Sequence, residues 1–247
     1  MTGRERRLLR MLCMTAGGGG GGDKPWEEMT WDDVIAATKN GKYKNFEIGA
    51  MKELDLGSEG IVQMQIVGID VDDLADGSGK APLTFISHEL LKTSHRMNPA
   101  LSPASKPYDE GTGSTGGWGK TEMREYIRSI VLNQLPQIIR DNIRIVVKTQ
   151  NARNSNTVIT TYETEDSVWI PSYSELTRTS TYGQPSYAEV FPDNDSRIKS
   201  VPGEANATKW WLRSGQFNEN YNSITAAGAF GWTAANNVLH IALGFCL

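Results

Sequence analysis

Cysteine is almost missing from the chain: 247 residues hold two, Cys13 and Cys246, near opposite ends. That excludes a disulfide framework and a C-x-x-C metal knuckle. It leaves Cys246, between Phe245 and Leu247, to act as a small buried hydrophobe. Histidine is scarce too, with His88, His95 and His240 the full set of 3. His88-Glu89 begins like a zinc-binding H-E-x-x-H, but position 92 is Lys, so the second ligand is missing. No apolar run approaches the roughly 20 residues that a membrane-crossing helix needs. A basic excess is also absent: 25 Lys and Arg face 29 Asp and Glu, a net charge of −4. A nucleic-acid partner would normally need the opposite balance. Neither a Gly-x-Ser-x-Gly elbow nor a P-loop occurs.

What the chain has in quantity is tryptophan, 7 in all, with 25 glycines. Aromatics of this kind dominate both cores and interfaces, so the count points towards a binding protein without deciding the matter. A mean hydropathy of −0.42 describes a soluble chain. Residues 1–16 read as a short basic and apolar segment for attachment or self-association. Arg10 interrupts the apolar run that a secretory signal would need. Gly17 to Gly22 open a flexible linker over 17–25. The remainder, 26–247, reads as one domain.

Within that domain Thr30-Trp31-Asp32-Asp33 predicts a helix start, with Gly41 as its stop. Trp31, Val34, Ile35 and Thr38 recur at helical spacing on the core face. Strands are predicted near 43–48 and over 61–69, where Val62, Met64 and Ile66 alternate with polar neighbours. The acidic run 68–80 fails the EF-hand template, since no Glu closes it. It reads as a Gly-rich turn, with a looser oxygen-ligand site on Asp70, Asp72, Asp73 or Asp76 as the alternative. Residues 99–117 read as a long surface loop. The longest helix is predicted over 121–134, with Met123, Tyr126, Ile127, Ile130 and Val131 inward. Further strands are expected at 143–149, 156–161 and 167–170. Ser172-x-x-Glu175 forms a capping box opening a short helix. Residues 179–208, with Tyr182, Tyr187 and Phe191, read as a polar loop.

The last segment, Lys209 to Leu247, organises the rest. Trp210, Trp211 and Leu212 open it, and Ile241 to Leu247 close it. Between these apolar blocks lie Asn, Ser, Thr, Ala and Gly with interspersed aromatics, Phe217 among them. Rigid aromatic area with small adaptable polar groups is the composition of a recognition surface. Trp-Trp-Leu-Arg-Ser at 210–214 and Gly-Phe-Cys at 244–246 resemble the ends of a domain family of unknown function common in gut bacteria and their phages. GGWGKTEMREYI at 116–127, HRMN at 95–98 and DDLADGSGKA at 72–81 are similar to further blocks of that family. Gly228 and Ala235 match its spacing.

Many members resemble variable proteins of diversity-generating retroelements, which rewrite adenine-derived codons near the end of a gene. The resemblance implies an α+β, C-type-lectin-like domain with small antiparallel sheets and two or three helices, carried on the glycine tether. It also implies a variable region at about 216–240 and no cofactor. Formylglycine-generating enzymes share that fold class but use paired cysteines, which Cys246 alone does not supply.

Three functions compete. The first is a non-enzymatic display protein that binds a cell-surface protein or glycan receptor, on a phage tail or, alternatively, at a bacterial surface or secreted. Its expected ligand-binding positions are Ser223, Thr225, Ala227, Ala229, Trp232, Thr233, Asn236, Val238 and His240, with Trp232 as anchor. By resemblance to phage receptor-binding proteins, the N-terminal segment would build a homo-oligomer, a trimer. The second is an envelope-polymer hydrolase using two carboxylates among Glu163, Glu165, Asp166, Asp193 and Asp195, but no motif ties any pair together. The third is a structural virion or surface subunit.

Overall fold

The computed structural model describes residues 24–100, 113–153, 159–177, 185–216 and 219–247. The expectations for 1–16, most of the linker, Cys13, Tyr182, Phe217 and much of the 99–117 loop fall outside these residues. Contacts divide the chain into two units, Met1–Thr30 and Trp31–Leu247. In the first, the described part holds one 3₁₀ turn, Trp26–Glu28.

The second unit is mixed α+β with small antiparallel sheets and few helices. Its first helix, α1 (Trp31–Asn40), runs as the sequence predicts and buries Val34, Ile35 and Ala37. Gly41 ends it at φ 81°, the left-handed conformation that glycine adopts without a Cβ clash. The strand expected at 43–48 does not form. A 3₁₀ turn, Lys42–Asn45, continues from the helix instead, and the Tyr43 hydroxyl donates to Asp70 at 2.7 Å.

The first strand is β1 (Met51–Asp55), paired with β2 (Ile61–Ile69). In β2 the alternation holds: Val62, Met64 and Ile66 are buried. β3 (Leu83–Ser87) pairs with β2, and β12 (Gly244–Cys246) lies between β3 and β7 (Val168–Trp169). The five-stranded order is therefore β1-β2-β3-β12-β7. The Gly-Phe-Cys strand is interior to the sheet and wholly buried, which explains its residues. A Cβ on Gly244 would sit 2.9 Å from the Trp169 ring, too close for any side chain. Phe245 stacks on Phe85 with centroids 5.4 Å apart, and Trp31 of α1 meets Phe85 edge-on at 5.4 Å.

Residues 122–134 are helical throughout, but not as one regular helix. α2 (Glu122–Tyr126) passes into a π turn, Ile127–Val131, and then a 3₁₀ turn, Leu132–Gln134. Thr121 caps α2, its hydroxyl accepting from the Arg124 N–H at 3.1 Å. The wider π turn shifts the inward stripe. Met123, Ile127 and Val131 are buried, while Ile130 stands exposed, against expectation. Gly113 to Gly117, placed by the sequence in a surface loop, are buried as well; the Asn98 side chain holds the Gly113 carbonyl and the Glu122 N–H.

A four-residue helix, α3 (Gln137–Arg140), leads to the hairpin β5 (Val146–Arg153) and β6 (Ile159–Asp166). β8 (Trp210–Gly215), β9 (Asn220–Ile224) and β10 (Phe230–Ala234) form a separate antiparallel sheet with β10 at its edge. β11 (Val238–Leu239) pairs with β4 (His95–Arg96). Among the described residues no helix is long and apolar enough to cross a membrane.

Candidate functional site

Two places gather the residues that the sequence singles out. One is the β8–β9–β10 sheet. Register puts Trp210, Ile224 and Phe230 on one face, with Asn222 opposite Trp232 further along the same face. The near end of that face is core: Trp210, Leu212 and Ile224 are buried together, with Phe230 packed against them. The far end leaves the core, and Trp232 is 69% exposed. The other face carries Trp211, Tyr221 and Ser223, all buried.

The strand position opposite Trp232 is Asn222. Asn222 accepts from the Gln216 amide at 2.9 Å. Beside Phe230 lie the Tyr173 ring, 4.6 Å away, and the Arg197 guanidinium, 4.5 Å from its centroid. Tyr173 and Ile198 are themselves exposed.

The nine expected binding positions do not share one face. Ser223 is fully buried, its hydroxyl 3.1 Å from that of Thr233, so it is not a surface position. Thr233 points to the opposite side from Trp232, as adjacent strand residues must. Thr225, Ala227 and Ala229 lie in the β9–β10 turn, which the Thr225 N–H closes onto the Ala229 carbonyl at 2.8 Å. Asn236 is exposed in the turn after β10. Val238 is exposed on β11, in a different sheet. His240 is half-buried, with Nδ1 2.9 Å from the Leu91 carbonyl.

Gly228 sits in the β9–β10 turn at φ 74°, where an added Cβ would strike the Asn194 carbonyl. Its own carbonyl accepts from Arg197 Nε at 3.0 Å. Gly228→Ala should therefore cost about 2 kcal/mol or more, combining the left-handed penalty with the collision. Thermal unfolding measures it; an unchanged midpoint would mean that the turn is not built this way.

The second place is a charge cluster sealed inside the protein. Lys148 Nζ lies 2.5 Å from Asp72 and 3.2 Å from Glu175, and both carboxylates are fully buried. Arg213 makes a two-pronged fork on Glu175, at 2.5 and 2.8 Å, and donates to the Ile170 carbonyl at 2.9 Å. The Tyr187 hydroxyl reaches Lys148 at 2.9 Å and Asp72 at 2.9 Å, and Thr84 donates to Asp72 at 2.5 Å. Cys246 Sγ is 3.7 Å from Asp72.

Two cations and two anions balance. Burial alone would raise the Glu175 carboxyl, but Arg213 and then Lys148 outweigh it and hold it at about 2. Burial opposes the charge on Lys148, yet Asp72 and Glu175 keep its ammonium above the usual lysine range. The Cys246 thiol is pushed well up by burial and Asp72, so it is no nucleophile. A second, partly buried pair lies nearby: Arg124 Nε donates to the buried Asp166 at 2.7 Å and Trp118 Nε1 to the same carboxylate at 3.0 Å.

The cluster collects what the motifs contributed. Arg213 comes from Trp-Trp-Leu-Arg-Ser, Cys246 from Gly-Phe-Cys, Asp72 from the acidic loop, and Trp118 and Arg124 from the Gly-Gly-Trp-Gly block. Glu175 is the capping-box residue. The box forms: the Ser172 N–H donates to Glu175 at 2.7 Å and the Glu175 N–H to Ser172 Oγ at 3.2 Å, but it closes a turn rather than a helix. Sequence reasoning missed Lys148, an unremarkable lysine in a strand. Tyr187 and Phe191, expected in a polar loop, are core.

A domain family of unknown function, DUF6273, matches residues 84–247. The chain belongs to this family. No curated protein and no solved structure matches it. The DUF6273 match takes in β3 from its second residue and every later strand to β12, and with them every residue of the cluster except Asp72.

The remaining acidic candidates do not converge. Asp70 meets Tyr43, Asp73 pairs with Lys80 at 2.6 Å, and Asp76 accepts from Ser78. Glu163, Glu165, Asp193 and Asp195 are exposed, and Asp166 is buried against Arg124. Among the described residues no group of three His, Cys, Asp or Glu side chains is placed to hold a metal ion.

The buried Lys199 makes no ion pair with a carboxylate among the described residues. Lys199 Nζ donates to the Ser87 and His88 carbonyls at 2.7 and 2.9 Å. Burial pushes it down to about 7, against a smaller opposing pull from Glu89. Between about pH 7 and pH 9 the unfolded chain thus holds this proton more firmly than the folded one, and stability from this group rises with pH. Lys199→Met should flatten that rise in urea unfolding; an identical pH slope in both proteins would contradict it.

Proposed function

We propose that the protein is a non-enzymatic receptor-binding display protein, presenting the β9–β10 turn, the exposed edge of β10 and the turn after it to a cell-surface ligand. The observation that carries this reading is Trp232. A tryptophan 69% exposed on a rigid sheet is costly to leave in water, and large rigid aromatics are what binding hot spots use. The sheet that carries it is anchored by the buried Trp210 and Trp211, so the strand position of Trp232 is set before any ligand arrives.

The C-type-lectin-like description, the phage-tail or bacterial-surface setting and retroelement diversification complete the proposal. They rest on the resemblance of the Trp-Trp-Leu-Arg-Ser and Gly-Phe-Cys blocks. Small residues at 225, 227, 229 and 236 around one large anchor suit a face whose side chains vary while its backbone does not. The charge cluster is read as scaffold, because a substrate cannot reach groups that are sealed from solvent.

Fluorescently labelled protein applied to a panel of intact gut bacteria tests the reading. Saturable binding to a subset of strains is expected. Uniform absence of binding, joined with hydrolysis of envelope polysaccharide or peptidoglycan, would replace it with the enzyme reading.

A further inference from the structure

The buried cluster holds more than an ion pair needs. Lys148 Nζ touches an Asp72 oxygen at 2.5 Å. The carboxyl carbon that an amine would attack is one bond beyond that oxygen. A second carboxylate, Glu175, stands 3.2 Å from the same nitrogen. The Trp169 ring lies 3.8 Å beneath it, and Lys148 is 1% exposed. We propose that Lys148 and Asp72 condense after folding into an intramolecular amide bond, Nζ to Cγ, with Glu175 as the catalytic proton acceptor.

The step balances within the cluster. The Lys148 ammonium passes one proton along its 2.5 Å bond to Asp72, leaving a neutral amine beside a neutral carboxylic acid. The amine lone pair attacks Asp72 Cγ while Glu175 takes the next proton from Nζ. The Tyr187 and Thr84 hydroxyls, already bonded to the two Asp72 oxygens, stabilise the negative charge that gathers there. The N–C bond forms and one C–O bond breaks. The departing oxygen leaves as water, with the proton first passed to Asp72 and the one held by Glu175. Nothing is oxidised or reduced, and no co-reactant is required.

Charge accounts for the direction. A buried ion pair keeps two desolvated charges, whereas the amide keeps none. What remains is the Arg213–Glu175 fork, a matched pair already complete in itself. Exclusion of bulk water also protects the amide from hydrolysis. The backbone holds both partners still: the Val147 N–H donates to the Asp73 carbonyl at 2.8 Å, fixing the acidic loop along β5.

The intact mass of the full-length protein under denaturing conditions tests this, with peptide mapping. The expected result is a mass one water below that of the sequence, and a branched fragment joining the peptides of Asp72 and Lys148. Succinimide formation at Asp76-Gly77 would also lose water, but it yields no joined fragment and would overturn the assignment. Lys148→Arg keeps the cation without the nucleophile, and its mass should match its own sequence. A wild-type protein that keeps its full sequence mass, with the linear Lys148 peptide recovered after days at neutral pH, overturns the proposal. So does water loss that persists in Lys148→Arg.

Discussion

Arg213→Met lowers the stability of the fold by about 3–5 kcal/mol, the cost of stranding a buried charge whose partner has been removed. The arginine supplies both prongs of the fork on Glu175 and a bond to the Ile170 carbonyl. Without it the Glu175 carboxylate keeps the Ser172 N–H and Lys148. Introducing Glu175→Leu in the same chain should recover part of the loss, because the stranded charge goes with it. Urea unfolding at neutral pH reads both variants.

Acid gives the same result by another route. Glu175 is held at about 2 in the folded protein, below the ordinary carboxylate range. Its contribution is therefore complete above the unfolded value, near pH 4.5, and lost as pH falls towards 2. The wild type should weaken across that window, and Arg213→Met should show a shallower slope. If Arg213→Met unfolds within about 0.5 kcal/mol of the wild type, the fork does not support the fold as described.

The second large effect concerns binding. Trp232→Ala should weaken attachment to the cell-surface ligand by at least about 2 kcal/mol, roughly 30-fold, as truncation of a hot-spot aromatic does. The fold should hardly notice, since substitutions at exposed positions fall within about ±0.5 kcal/mol. Ser223→Ala supplies the contrast. Its hydroxyl is buried against Thr233, so its effect should fall on stability and leave binding unchanged. A Trp232→Ala protein that binds as well as the wild type would remove the anchor from the face.

Much of the scaffold was legible because its signals are local. The helix at Trp31–Asn40 follows from spacing and a stop glycine, and β2 from strict alternation. The Ser172–Glu175 box appears with its reciprocal bonds. The failures are non-local. Lys148 becomes important only because the acidic loop and the 172–175 turn, far away in sequence, close on it. Ile130 turned outward because a π turn changed the period. Ser223 looked like a surface residue because small polar residues suit exposed strands, but β9 is the middle strand and its partner face is filled by Trp211 and Tyr221. Composition cannot show which strand of a sheet is central.

The most direct test of the display account is the DNA around the gene, read in many isolates or passages of one lineage. The account predicts a near-copy of the codons for about 210–247 beside a reverse-transcriptase frame. Differences should fall at adenines and map to exposed or turn positions such as Thr225, Ala227 and Asn236, while buried Trp210, Trp211 and Phe245 stay constant. A C-terminal segment identical in every isolate, with no such copy nearby, would contradict diversification and leave Trp232 on a fixed surface.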